Sequence, residues 1–280
     1  MIYAIIIFVV ILLFIFLYLQ NNLINETKYC YKSEYVNDSF VAVQLSDMHS
    51  KPFKKVLKKL NNIKPDVIFI TGDYINDHGK NKDKMLEYGK ELLKIAPVYY
   101  ITGNHERRLD YFDSLMNQLQ DIGFNVLLNK KAVANIKGNP VAILGLDENQ
   151  ASFEAYKERK KGTFKYKDMS SYFESLNENK CLKIVLSHFP ENFEMVKENN
   201  YKQYDFDIQF SGHAHGGQFI LPFIGPVLSP GQGLFPKYAK GSFGDRPKLI
   251  ISRGLGNAEF PFRLFNYPEI NIITFKSNKA

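Results

Sequence analysis

The sequence contains no tryptophan and only two cysteines among its 280 residues. Cys30 and Cys181 lie far apart in the chain, so neither a disulfide framework nor a thiolate zinc site is available. Any metal must then be held by histidine, carboxylate and amide groups. A strong excess of one charge is also missing: 36 Lys+Arg against 29 Asp+Glu leaves +7, spread along the chain without a basic tail. That balance suits an anionic partner and disfavours a dedicated nucleic-acid module. No Ser/Gly linker or internal repeat divides the chain, and an apolar content of 45% excludes intrinsic disorder.

What is present begins at the N-terminus. Residues 2–19 carry no charge, are almost wholly Ile, Leu, Phe, Val and Tyr, and end at Gln20-Asn21-Asn22. As a helix this run rises roughly 27 Å, close to the hydrocarbon thickness of a bilayer. Only Met1 precedes it and no A-x-A pattern follows, which favours an uncleaved anchor over a signal peptide. The expected organisation is a transmembrane anchor over 1–20, a linker and first edge segment over 21–38, and one catalytic domain over 39–280. Lys28 and Lys32, beyond the run, lean towards a cytoplasmic catalytic domain on a single-pass protein of the cell membrane.

From Phe40 the pattern is strand, loop, helix, repeated. Strands are expected at 40–45, 66–71, 97–102, 141–146, 182–187, 207–211, 249–252 and 270–275. Helices are expected at 51–60, 82–95 and 107–122, the last with Leu109, Phe112, Leu115, Met116 and Leu119 inward. This alternation implies right-handed βαβ units in a largely parallel sheet.

The strand ends carry the chemistry. They are followed in turn by Asp47 and His49, by Gly72-Asp73, by Gly103-Asn104-His105-Glu106, by His188, and by Gly212-His213-Ala214-His215. Sites in α/β sheets assemble where short loops leave the C-terminal ends of strands. Singly, each block has a plain reading: Gly-Asp and Gly-Asn are turn dipeptides, and His188 serves equally well as a structural histidine. Jointly they offer imidazole, carboxylate and amide ligands, without thiolate, for two divalent ions such as Mn²⁺, Zn²⁺ or Fe. Two ions roughly 3.5–4 Å apart, joined by a carboxylate, clamp a phosphoryl oxygen and acidify a shared water.

The order D-x-H, GD, GNH[E/D], H, GHxH resembles that of the calcineurin-like metallophosphoesterase superfamily. The stretches 216–218, 221–226, 233–238 and 252–256 further resemble its membrane-associated or exported bacterial branch, so the resemblance covers roughly 40–275. It implies an α/β fold, the four-layer α/β/β/α metallophosphoesterase sandwich, preceded by one transmembrane helix. It also implies that Asp47, His49 and His215 hold one ion, that Asn104, His188 and His213 hold the other, and that Asp73 bridges them. The implied nucleophile is a metal-bridging hydroxide, and His105 would protonate the leaving alkoxide or stabilise the developing charge. The family's second block usually reads GD-x-x-D; here Asn76 takes the last position with Asp77 one later, leaving both open as the group that orients His105.

Arg107, Arg108 and Arg253 are candidate phosphate contacts through their guanidinium forks, beside a plainer reading as surface charge. Lys51, Lys54, Lys55, Lys58 and Lys59 form a polar helix face that also suits anionic headgroups. The implied activity is dinuclear-metal-dependent hydrolysis of a phosphodiester or pyrophosphate bond in a phosphate ester, a lipid-linked one fitting the anchor. A UDP-sugar-lipid pyrophosphatase, acting on a UDP-diacylglucosamine-like substrate, is the alternative reading. A non-catalytic, metal-stabilised membrane binding module is the alternative class, disfavoured by a non-ligating His105 beside a full ligand set. No specific nucleic acid is expected as partner.

Overall fold

The computed structural model describes residues 1–178, 180–257 and 260–278; positions 179, 258, 259, 279 and 280 of the expected 39–280 domain lie outside the described residues. Helix α1 (Ile2–Asn22) is long and apolar, and Gln20 is its only buried residue. The chain then forms two six-stranded mixed sheets. Its first nine strands are β1 (Asn25–Ser33), β2 (Phe40–Leu45), β3 (Val67–Thr71), β4 (Val98–Ile101), β5 (Asn125–Val126), β6 (Lys130–Ile136), β7 (Asn139–Gly145), β8 (Leu182–Leu186) and β9 (Ile208–Ser211). Two small hairpins follow, β10 (Ile220–Leu221) with β11 (Gly225–Pro226) and β12 (Leu228–Ser229) with β13 (Gly233–Leu234). Strands β14 (Gly241–Phe243), β15 (Lys248–Ile251) and β16 (Glu269–Ser277) complete the fold.

The first sheet runs β1-β16-β2-β3-β4-β5 and the second β14-β15-β9-β8-β7-β6. Central strands such as β3 and β8 are buried along their whole length, as their mostly apolar sequences require; Lys183, the charged residue of β8, pairs with Asp205 at 2.6 Å. Phe40, Phe69, Ile143, Ile184, Phe210 and Ile250 fill the space between the sheets. Helices α2 (Lys54–Ile63), α3 (Lys82–Leu93) and α4 (Phe112–Asp121) cover the outer face of the first sheet through Val56, Leu60, Met85, Leu92, Leu115 and Leu119. Over the second sheet lie α6 (Ser170–Glu174), which supplies Phe173, and irregular segments that supply Tyr201, Phe206 and Tyr238. Helix α5 (Phe153–Lys161) stands apart, burying only Ala155.

Three details add to or depart from the pattern read in the sequence. The segment 21–38 carries a full edge strand, β1, paired in parallel with β16 over nine residues. β6 pairs antiparallel with β7, and the sheets are mixed because β16 also meets β2 antiparallel. The expected helix 107–122 is two pieces, a short turn Glu106–Arg108 and then α4, with Leu109 extended between them. At the break the Glu106 side chain turns back to accept from the Gly103 amide of its own loop and from the Asp73 amide of the loop after β3.

The ends of the two sheets are tied together across the core. Gln44 Nε2 donates to Thr71 Oγ1 (3.0 Å) and to the Ser211 carbonyl (2.8 Å), while its Oε1 accepts from Asn271 Nδ2 (3.0 Å). Buried, fully engaged amides of this kind fix register between layers. They bring the loops after β2, β3, β4, β8 and β9 to one edge.

Candidate metal centre

Backbone conformation comes first. Asp47, His49, Asp73, His213 and His215 have φ of 51°, 48°, 52°, 66° and 47°, the left-handed region that non-glycine residues seldom occupy. Such strain persists only where the surroundings over-determine it. Here the Asp47 amide donates to the Gly72 carbonyl (3.0 Å) and the His49 amide to the Asp73 carbonyl (2.9 Å). Glycines make room for the carboxylates. A Cβ on Gly103 would overlap the Asp73 carboxylate, and one on Gly212 would lie 2.6 Å from Asp47 Oδ2.

Four side chains, Asp47, His49, Asp73 and His215, place one potential ligand atom each within 4.8 Å of one another. His49 Nε2 and His215 Nε2 are 3.0 Å apart, and His215 Nε2 is 3.5 Å from Asp47 Oδ1. On the other side of Asp73, His188 Nε2 lies 3.4 Å from Asp73 Oδ2 and 3.2 Å from Asn104 Oδ1. His188 Nδ1 faces the Thr71 carbonyl at 2.8 Å, which directs its proton there and turns Nε2 towards the cluster. The His213 ring packs on His188 with centroids 5.0 Å apart, and its amide donates to Asp47 Oδ1 (3.0 Å). The structure thus gathers every residue expected to ligate metal, with Asp73 between two groups.

Electrostatics test whether cations fit. Burial pushes the Asp47 carboxyl up to about 6 and the His49 imidazole down to about 3. Burial also opposes charge on Asp73, yet His188, His105 and His49 hold its carboxyl well below the usual range. Burial works against the His188 imidazolium as well, but Asp73 and Asp47 raise it to about 10. Two buried carboxylates therefore demand positive charge at this spot. Among the described residues the buried His215 Nδ1 has no hydrogen-bond partner, while its Nε2 points into the cluster. Imidazole, carboxylate and amide donors without sulfur fit two borderline or hard divalent ions.

His105 lies apart from these atoms and is partly exposed to the cavity. Its amide donates to Asp73 Oδ1 (2.9 Å), its Nε2 is 3.9 Å from Asp73 Oδ2, and its Nδ1 is 3.2 Å from Asp77 Oδ1. Burial works to lower the imidazole, but Asp73 and Asp77 outweigh it and raise it to about 9. Asp77 is the side chain that faces His105; Asn76 instead accepts from Ser50 Oγ through Oδ1 (3.2 Å).

A cavity of about 1030 Å³ opens over the cluster, and His49, Asp73, Asn104, His105, His213 and His215 line its floor. Arg108, Arg159 and Lys160 add positive charge to the walls, and Phe153, Tyr156 and Met195 add apolar surface. Arg107 and Arg253 do not line it. Arg107 pairs with Asp147 (Nε to Oδ1, 2.6 Å) and lies 3.9 Å over the Phe112 ring, while Arg253 Nη2 pairs with Glu269 Oε1 at 2.8 Å. Both guanidinium groups, expected as phosphate contacts, are engaged in these ion pairs instead of facing the cavity.

Two buried glutamates matter that motif reading left without a role. Glu106 accepts from the amides of Asp73 (3.1 Å), Ile75 (2.9 Å) and Gly103 (3.0 Å), clamping two ligand loops together. Glu148 accepts from Ser187 Oγ (2.8 Å) and the His188 amide (3.0 Å). Their signal in sequence is weak: each is a carboxylate just past a strand-end turn.

Comparison with known proteins agrees with this geometry. The family model described as calcineurin-like phosphoesterase matches residues 40–217. The chain is 29% identical to the uncharacterized metallophosphoesterase YkuE of Bacillus subtilis (strain 168), covering 93% of this chain and 88% of that one. It is 25% identical to the UDP-2,3-diacylglucosamine pyrophosphatase LpxG of Chlamydia muridarum, with 82% of each chain covered. A dimetal phosphatase from Danio rerio shares the fold, with a TM-score of 0.51 at 11% identity over 77% of this chain and 88% of that one.

Proposed function

The chain belongs to the calcineurin-like phosphoesterase family and is a phosphoester hydrolase; from that premise we propose that it cleaves a phosphodiester or pyrophosphate bond in a lipid-linked phosphate. The observation that carries this reading is the position of Asp73, whose Oδ2 lies 3.8 Å from His49 Nε2 and 3.4 Å from His188 Nε2, common to both ligand groups. Asp47, His49 and His215 would hold one divalent ion with Asp73, and Asn104, His188 and His213 the other. Mn²⁺, Zn²⁺ and Fe fit these donors. When bound, such ions stabilise charge on phosphoryl oxygens and acidify water.

The chain's own groups do the rest. His105, held by Asp77 and open to the cavity, donates a proton to the leaving oxygen. Arg108, Arg159 and Lys160 attract and orient the anion from the walls. Phe153, Tyr156 and Met195 offer apolar surface to the non-phosphate part of the substrate. The pyrophosphatase name of the Chlamydia muridarum relative supports a diphosphate linkage. α1, exposed along nearly its whole length, supports a single-pass anchor and thereby an amphiphilic substrate.

The test is a substrate panel on the full chain in detergent, loaded with Mn²⁺: an aryl phosphodiester, the matching monoester, and a nucleoside-diphosphate lipid. Turnover of the diester and the lipid diphosphate well above the monoester is expected. Preference for the monoester contradicts the proposed bond type.

A further inference from the structure

Beside α1 lies an apolar surface that the chemistry leaves unused. Residues 219–236 contain no charged side chain, and Phe223, Ile224, Leu234 and Phe235 are 110%, 60%, 67% and 65% exposed. The neighbouring segment adds exposed Phe260, Phe262 and Phe265. Its one charged residue between 260 and 268, Arg263, is turned inward, donating to the carbonyls of Arg253 (2.8 Å) and Gly256. Soluble chains seldom expose contiguous apolar surface of this kind. The backbone supports the outward display: Phe223, Phe235 and Phe265 sit at φ of 66°, 52° and 51°, conformations that bulky residues avoid.

We propose that 219–236, together with Phe260, Phe262 and Phe265, is a bilayer-seated face, a second membrane contact that turns the metal cavity towards the lipid headgroups. The inference rests on the reading of α1 as an anchor and commits to lipid as the occupant, because the 263–267 segment meets the end of α1 and 219–236 is bonded to that segment. Phe265 packs edge-on against Phe16 at 5.5 Å, Gln20 Nε2 donates to Tyr267 Oη (3.1 Å), and the Arg263 amide donates to Asn21 Oδ1 (3.2 Å). Phe16 precedes Gln20 by about 6 Å of helix rise, so the Phe265 ring stands at a depth that interfacial apolar groups reach, about 5–10 Å. Lys55 Nζ reaches the carbonyl of Asn22 (3.3 Å), which puts the exposed lysines of α2 at the helix exit, where anionic headgroups would lie.

The face is joined to the metal centre. The Ile220 amide donates to the Leu264 carbonyl (3.0 Å), Gln218 Nε2 to the Phe262 carbonyl (2.9 Å), and Asn266 Nδ2 to the carbonyl of His215 (2.7 Å). Pro230 and Gly231 of the same loop line the cavity. An amphiphile whose chains stay in the bilayer would thus present its phosphate to the cavity from this side.

The absence of tryptophan makes the test direct. Full chains carrying Phe223→Trp, Phe235→Trp or, as reference, Val133→Trp on exposed β6 are reconstituted into phosphatidylcholine–phosphatidylglycerol vesicles, with and without brominated acyl chains. The indoles at 223 and 235 should lose about half or more of their emission to the brominated lipid, while the indole at 133 responds to aqueous iodide alone. Iodide quenching at 223 and 235 equal to that at 133, in vesicles that retain the chain through an alkaline wash, overturns the seated face and leaves the anchor standing. Shielding from both quenchers assigns the face to a second copy and also overturns it. Loss of the chain in the alkaline wash removes the anchor and the proposal with it.

Discussion

Two regions of this molecule share one backbone device and use it in opposite directions. At the strand ends, Asp47, Asp73, His213 and His215 are buried on left-handed backbone, and every strained turn is braced by a hydrogen bond from a neighbouring loop. In 219–236, Phe223 and Phe235 adopt the same left-handed φ, yet their side chains point into the open. The strand-end strain converges polar atoms on one point; the loop strain displays apolar ones. The two regions meet where Asn266 binds the His215 carbonyl, so substitutions at the exposed tips Phe223 and Phe235 should leave the polar cluster unchanged.

The comparison breaks most severely at Asp73. Asp73→Ala removes the carboxylate common to both ligand groups and should lower kcat/KM on an aryl phosphodiester by at least about 10⁴-fold, with metal content falling in parallel by elemental analysis. Next, His105→Ala should lower kcat by about 10²–10⁴-fold while bound metal is retained. A companion change sharpens this. Asp77 helps raise the His105 imidazole, so Asp77→Asn lowers its pKa; the proton donor is then lost sooner as pH rises, and the alkaline limb of kcat should move to lower pH.

Glu106→Ala leaves three buried amides without their acceptor and should cost about 2–4 kcal/mol of stability, read as a lower midpoint of denaturation with slope unchanged. Smaller again, Arg159→Ala should raise KM about tenfold at constant kcat, whereas Arg107→Ala, tied to Asp147 and Phe112, should change stability and leave KM alone. The smallest effect is expected at Glu194, a partly exposed carboxylate outside the cavity lining. Hydrogen bonds from Lys202, Tyr238 and Lys237 lower its carboxyl to about 2. Because the folded value lies below the unfolded one, this contribution is full above the ordinary carboxylate range and fades as pH falls towards 2. Solvent screening keeps it under about 1 kcal/mol, so Glu194→Gln should slightly flatten the acid limb of stability.

How far the sequence could be read follows from the same contrast. Strands 40–45 and 182–187 were legible because strands buried on both faces are predominantly apolar, and the ligand loops were legible because polar residues follow such runs abruptly. Glu106 was hidden, since a glutamate after His105 in a helical period reads as surface until its side chain is seen turning back to Asp73. The ion pairs of Arg107 and Arg253 were hidden because their partners, Asp147 and Glu269, are distant in sequence. Strand β6 was missed because its buried pattern is that of an edge strand, with only Ile136 fully inside. The loop 219–236 has no period at all; its apolar, charge-free composition was visible, but its exposure against α1 was not.

Hydrolysis by two ions held in one strand-end cluster through the Asp73 carboxylate would show directly in a metal titration. Metal-stripped full chain should be titrated with Mn²⁺ while bound metal and diester hydrolysis are followed in the same samples. The account predicts saturation at two ions per chain, with activity rising chiefly with the second, and neither signal in Asp73→Ala. Full activity in the stripped chain, or unchanged binding and turnover in Asp73→Ala, would contradict it.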